Sequence, residues 1–275
     1  MSSIEGDEGD LTRKQRREQA REQRKELEAA EVAGAARRKR LTQLGIVVAV
    51  VVAVIVVVLI ATGGKSKSGI PKSSGEKNAT VTEVSNLVGG IPQSANVLGS
   101  PTAPVTLQYF GDLECPICKQ FTLGALPPII QKWVRGGQLK IEYRSLETAT
   151  REPEVFKDQQ AAALAAGKQD KMWNYLETFY HEQGEEDSGY VTESYLQGIA
   201  QQVPGLNLTK WSSERSEPAL DNQITGDGQA ANAAGFTGTP SFLIGKTGGA
   251  MKKFESASLT DPTSFNEAIE KLVKA

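Results

Sequence analysis

The chain has 275 residues, with 31 Lys and Arg against 33 Asp and Glu, one His and two Cys. That length accommodates one or two domains with a real core. Two cysteines exclude a multi-disulfide scaffold and any four-cysteine zinc or iron–sulfur centre, and a lone histidine excludes His-rich metal sites. Residues 11–40 carry eleven bases and five acids, whereas residues 41–275 carry twenty bases and twenty-four acids. A mildly acidic main body argues against nucleic acid as a partner.

Residues 1–40 read as a charged cytoplasmic segment. From residue 11 they are rich in Arg, Gln, Glu, Lys and Ala, which favour helix, with no apolar stripe, and they suit a solvated helix over anionic headgroups. Leu44 to Ala61 is an unbroken run of 18 residues without a polar side chain. As a helix it is roughly 27 Å long, close to the hydrocarbon thickness of a bilayer, so residues 41–62 are expected to form a transmembrane helix. β-branched Val and Ile resist helix in water, but in lipid every amide must be paired internally. The run exceeds a signal-peptide core and has a long segment before it, which favours an uncleaved anchor. Arg37-Arg38-Lys39-Arg40 abuts the span and places the N terminus inside, outweighing the sparser Lys65, Lys67, Lys72 and Lys77 beyond it. The C-terminal domain is then extracytoplasmic.

Residues 63–90 are expected to be a flexible linker, Gly/Ser/Lys-rich as far as Lys77. A folded domain follows over 91–275. Val105 to Phe110 reads as a buried strand, Pro116 to Trp133 as a helix kinked at Pro127-Pro128, and Gln138 to Leu146 as a second strand. Glu154–Glu182, Glu193–Val203 and Leu208–Ala234 look helical, a block within about 151–234. Pro240 to Ile244 and Lys252 to Phe254 form a hairpin, and Thr263 to Lys274 closes the chain as a helix. This order fits an α/β sandwich interrupted by a helical insertion.

The two cysteines stand at Cys115-Pro116-Ile117-Cys118, between the first strand and its helix. A cysteine at a helix N-cap faces unpaired amides and the positive end of the macrodipole, which favour the thiolate. Pro116 suits the first helical position, where its missing N–H costs nothing. Cys118 lies one turn further in, within disulfide reach and less exposed. Cys115 is therefore the expected attacking thiol and Cys118 the resolving one. A structural disulfide closing so short a loop gains little entropy, and a zinc site lacks ligands beyond His181 and carboxylates. No metal or cofactor is expected.

A second element, Phe236-Thr237-Gly238-Thr239-Pro240-Ser241-Phe242, completes a pattern. With Phe110-Gly111-Asp112, the Cys-Pro-x-Cys motif and Phe121, it resembles the thioredoxin superfamily, specifically its DsbA-like branch with a helical insertion. The resemblance covers about residues 91–275. It implies a thioredoxin-like α/β fold, a cis Pro240 packed by the cysteines, and Thr239 as the residue whose backbone pairs with substrate. Where many members carry a buried carboxylate as proton relay, this chain has Tyr109, which leaves Asp112 or Glu114 for that role. Ile117 cannot donate to the thiolate as a histidine in the motif does, so the motif gives less reason for an extreme oxidising potential.

The expected function is that of a membrane-anchored protein thiol–disulfide oxidoreductase, oxidising dithiols in folding polypeptides outside the cytoplasm. The resemblance implies a membrane quinone-linked partner to recycle it. A reductase or isomerase would use the same residues, and a tethered binding module without turnover is the remaining alternative.

Overall fold

A computed structural model describes residues 74–275. The charged segment, the expected membrane helix and the first part of the linker lie outside the described residues. Among the described residues no helix is long and apolar enough to cross a membrane.

The second part of the expected linker is helical. Helix α1 (Ser74–Val88) buries Val84, Leu87 and Val88 in the main core, so this segment is part of the domain. A two-residue-strand hairpin follows, β1 (Gln93–Ser94) and β2 (Val97–Leu98), then β3 (Val105–Gly111). After β3 come α2 (Pro116–Leu123), α3 (Leu126–Ile129) and a π-helical turn, Ile130–Val134. The single kinked helix expected there is three pieces. Gly124 ends α2 where an added Cβ would sit 2.5 Å from the Gln120 carbonyl oxygen and 2.9 Å from Thr260. Pro127 and Pro128 then supply no N–H to the preceding turn.

Strand β4 (Leu139–Ser145) leads into the insertion: α4 (Pro153–Gly167), α5 (Met172–Glu182), α6 (Glu193–Ala200), α7 (Leu208–Glu214) and α8 (Pro218–Ala233). Two of the three helices expected here are each divided. Asp170, at φ 56°, turns the chain between α4 and α5, while Pro218 holds Glu217 extended and separates α7 from α8. The chain ends with β5 (Ser241–Lys246), β6 (Lys252–Phe254) and α9 (Thr263–Lys274).

The strands form one sheet in the order β1-β2-β4-β3-β5-β6, with only β3 and β4 parallel. Side chains alternate across it, as the period of a strand requires. Tyr109 pairs with Phe242 and turns to the face covered by Phe121 and Phe265. Phe110 points the other way, onto a small cluster with Leu146 and Ala231 of α8. The short hairpin fixes the insertion to the sheet. Asn96 donates to the Tyr143 carbonyl at 2.8 Å and accepts the Trp173 indole N–H at its own carbonyl, while Gln93 donates to Asn174 at 2.8 Å. Helix α5 is thereby held so that its C-terminal end meets the loop after β3.

Candidate functional site

Cys115 is the N-cap of α2, with extended backbone (φ −68°, ψ 117°). Its Sγ accepts from the Cys118 backbone N–H at 3.4 Å, and its thiol reaches the Thr239 carbonyl at 3.5 Å. Both cysteines are free thiols and both are buried, Cys118 completely and Cys115 with 5 % of its surface exposed. A hydrogen bond from the Cys118 thiol, outweighing the cost of burial, lowers the Cys115 thiol to about 6; Thr239 and the backbone N–H groups of Cys118 and Ile117 add to this. Burial, with Cys115 beside it, pushes the Cys118 thiol well above its ordinary value. One sulfur is thus an anion at neutral pH and its neighbour a thiol, the asymmetry that directed disulfide exchange requires.

The Thr239–Pro240 peptide bond is cis. The Thr239 hydroxyl pairs with that of Thr148, so the loop after β4 meets the loop before β5 at the residue whose carbonyl faces Cys115. Beside this bend lies a cavity of about 460 Å³, with apolar walls from Phe236, Pro240, Phe242, Phe254 and Leu259. Ile117, between the cysteines, is 41 % exposed.

Asp112 is fully buried and saturated with donors. It accepts from the backbone N–H groups of Glu114, Thr148, Ala149 and Thr150 at 2.9–3.1 Å and from the Thr150 hydroxyl at 2.6 Å. Its place is that of an anchor binding the loop after β4 to the loop after β3, and no lone pair is left for the relay expected of it. Glu114 is also buried, at 4 % exposure, but borders a cavity of about 350 Å³ with Arg151 and Asp187. Burial first, with the nearby charges of Asp112, Asp187 and Glu186, raises its carboxyl to about 7 against a lowering bond from Thr150.

Tyr109, at the position of the missing carboxylate, is buried with its hydroxyl 3.1 Å from that of Tyr180 and 3.4 Å from that of Thr122. The Tyr180 hydroxyl donates in turn to the Asp112 carbonyl at 3.2 Å. An added Cβ on Gly111 would lie 2.9 Å from the Tyr143 ring and 3.1 Å from the Tyr109 hydroxyl, so only glycine lets this strand end pass between the phenols.

Sequence reasoning missed Gln183, just beyond α5. Its side-chain amide donates to the Leu113 carbonyl at 2.6 Å and to that of Cys115 at 3.1 Å, pinning the loop that carries the attacking sulfur. A glutamine 68 residues away gives no local signal of such a contact. His181, nearly at the end of α5, is half-buried and takes no part in the cysteine site. Trp133 and Trp211 are packed within the fold, their indoles donating to Asn266 and to the Ala162 carbonyl. Among the described residues no three His, Cys, Asp or Glu side chains converge as a metal ion requires.

Residues 93–270 match the family model described as thioredoxin. The probable disulfide bond formation protein D of Bacillus cereus is 24 % identical over 185 residues, spanning 64 % of this chain and 78 % of that one. Oxidised BdbD from Bacillus subtilis superposes with a TM-score of 0.57 at 22 % identity, over 69 % of this chain and 99 % of that one. The α-DsbA1 of Wolbachia pipientis gives 0.55 at 20 % identity, over 65 % and 90 %. The family model covers most of the described residues and the solved structures share the fold: the chain belongs to the thioredoxin family, with the thioredoxin-like α/β fold of the DsbA-like proteins.

Proposed function

We propose that the chain is a membrane-anchored, extracytoplasmic thiol–disulfide oxidoreductase that oxidises dithiols in folding polypeptides, with Cys115 and Cys118 as its redox pair. The observation that carries this reading is the split between a stabilised Cys115 thiolate and a buried Cys118 thiol, directly beside the Thr239 carbonyl.

In the oxidised enzyme a substrate thiolate attacks Cys115 Sγ. The Cys115–Cys118 bond breaks, a mixed disulfide forms, and Cys118 leaves as a thiolate that takes up a proton. A second substrate thiolate then attacks the substrate sulfur of the mixed disulfide. Cys115 leaves as an anion its surroundings already favour, and the substrate departs with a disulfide; two electrons have passed to the enzyme. Thr239 presents a backbone edge for an extended substrate segment, and the apolar cavity beside Pro240 receives its side chains with little sequence demand. Glu114, near neutrality and bordering a cavity, is the better placed of the two carboxylates to relay protons. Turnover needs an electron acceptor; a quinone-linked membrane partner meets that need and agrees with an anchor at Leu44–Ala61.

The test is oxidative refolding of a reduced, multi-cysteine protein by the oxidised chain. Wild type accelerates disulfide formation, and Cys115→Ala and Cys118→Ala fall to the uncatalysed rate. Cys118→Ala activated at Cys115 as its thionitrobenzoate disulfide passes to a mixed disulfide with substrate, releasing thionitrobenzoate, and stays there. A wild-type rate equal to the control removes the enzymatic reading and leaves a tethered binding module. Catalysis only in reducing buffer makes the chain a reductase or isomerase.

A further inference from the structure

We propose that the groove between α1 and α5 is a docking subsite for a basic side chain of the polypeptide substrate, held by Glu177 and Glu83. The identity of the partner rests on the oxidoreductase reading; the groove itself does not. It encloses about 750 Å³, with apolar walls from Leu87, Leu123 and Pro127 and polar ones from Glu83, Glu177 and His181. Glu177 is fully buried, and neither of its carboxyl oxygens has a hydrogen-bond partner. A buried acid without a partner is among the costliest groups a fold can carry, and native structures keep such groups where something else is to bind them. Burial, with Glu83 nearby, lifts its carboxyl to about 8. The cations in the neighbourhood do not answer it: burial holds His181 below its ordinary value, and the Lys119 ammonium donates to the Gln183 carbonyl at 3.2 Å.

A lysine or arginine entering this groove lays its methylenes along Leu87, Leu123 and Pro127 and delivers its charged head between Glu83 and Glu177, whose carboxyl gives up its proton to solvent as the cation pairs with it. A polypeptide is the occupant because of position. Leu123 is the last residue of the helix that Cys115 caps, eight residues on and so about 12 Å along its axis. An extended chain covers that distance in roughly four residues. A basic residue about four places from a substrate cysteine therefore reaches the groove while the cysteine reaches Cys115.

The test uses the full-length chain in detergent and two fluorescein-labelled decapeptides without cysteine, differing only in one lysine or norleucine, with binding read by anisotropy. The lysine peptide binds at least tenfold more tightly. Glu177→Gln and, independently, the rim variant Glu83→Gln each erase most of that preference while leaving norleucine-peptide affinity unchanged. Equal affinities for wild type, or a preference surviving both substitutions, overturn the proposal. Displacement of the lysine peptide by butylammonium at equal concentration overturns the polypeptide occupant in favour of a small amine. No thiol takes part, so the outcome is independent of whether the cysteine pair turns over.

Discussion

At the scale of single residues, the site turns on two thiols of opposite character. Cys115 is held near 6 by the Cys118 thiol, Thr239 and backbone N–H groups, whereas in an unfolded chain it titrates near about 8.5. Its folded value is the lower one, so thiolate stabilisation of the reduced form is complete above about pH 8.5 and is lost as pH falls through 6. Between those limits the reduced protein gains up to about 1.4 kcal/mol per pH unit relative to the oxidised protein, which has no thiol to titrate. Denaturant midpoints of the two forms are expected to stay parallel below pH 6 and to diverge in favour of the reduced form from pH 6 to about 8.5; above that the trend turns back, because Cys118 ionises in the unfolded chain and not in the fold. A difference independent of pH would show Cys115 to be an ordinary thiol. The same stabilisation of the reduced state favours accepting electrons over donating them, which is why oxidation is the proposed direction.

At the scale of elements, the sequence announced what local chemistry dictates and was silent where distant parts meet. Val105–Gly111 and Leu139–Ser145 were legible because β-branched and alternating apolar residues mark strands, and Thr263–Lys274 because its apolar positions follow a helical period. The N-cap at Cys115 followed from Cys-Pro spacing alone. The role of Asp112 did not, because it depends on N–H groups that only the folding of the loop after β4 brings to it. Helix α1 was illegible for a similar reason. Its Gly/Ser/Lys-rich approach resembles a tether, and its stability comes from partners elsewhere. Arg135 donates to the carbonyls of Asn86, Leu87 and Gly89 at 2.8–3.0 Å, satisfying acceptors left open at the C-terminal end of α1. Arg135→Ala is expected to cost about 1–2 kcal/mol, an exposed charged cap having only part of its full worth. Hydrogen exchange of the amides of residues 79–88 reads it: these should exchange several-fold faster while the amides of β3 and β4 keep their protection. Unchanged exchange in α1 would mean that Val84, Leu87 and Val88 hold the helix without its cap.

At the scale of the whole molecule, the chemistry and the proposed location depend on each other. A disulfide that accepts electrons from folding proteins is useful where disulfides persist, outside the cytoplasm. In the proposed arrangement the apolar run Leu44–Ala61, long enough for a bilayer, is the anchor, and the basic cluster Arg37–Arg40 sets its orientation. The chain carries its own reporter of sidedness, because Cys115 and Cys118 are its only cysteines. In intact bacterial cells producing the full chain with its pair reduced, a membrane-impermeant maleimide is expected to label Cys115, and alkaline carbonate should leave the labelled chain in the membrane pellet. Replacing Arg37, Arg38, Lys39 and Arg40 together by glutamine removes the inside-positive bias, leaving Lys65, Lys67, Lys72 and Lys77 to compete from the other flank. Labelling from outside should then fall several-fold and recover when the membrane is permeabilised. Labelling of the wild type only after permeabilisation would place the redox pair in the reducing compartment. There the pair, with its stabilised Cys115 thiolate, would stay reduced and could not oxidise its substrates.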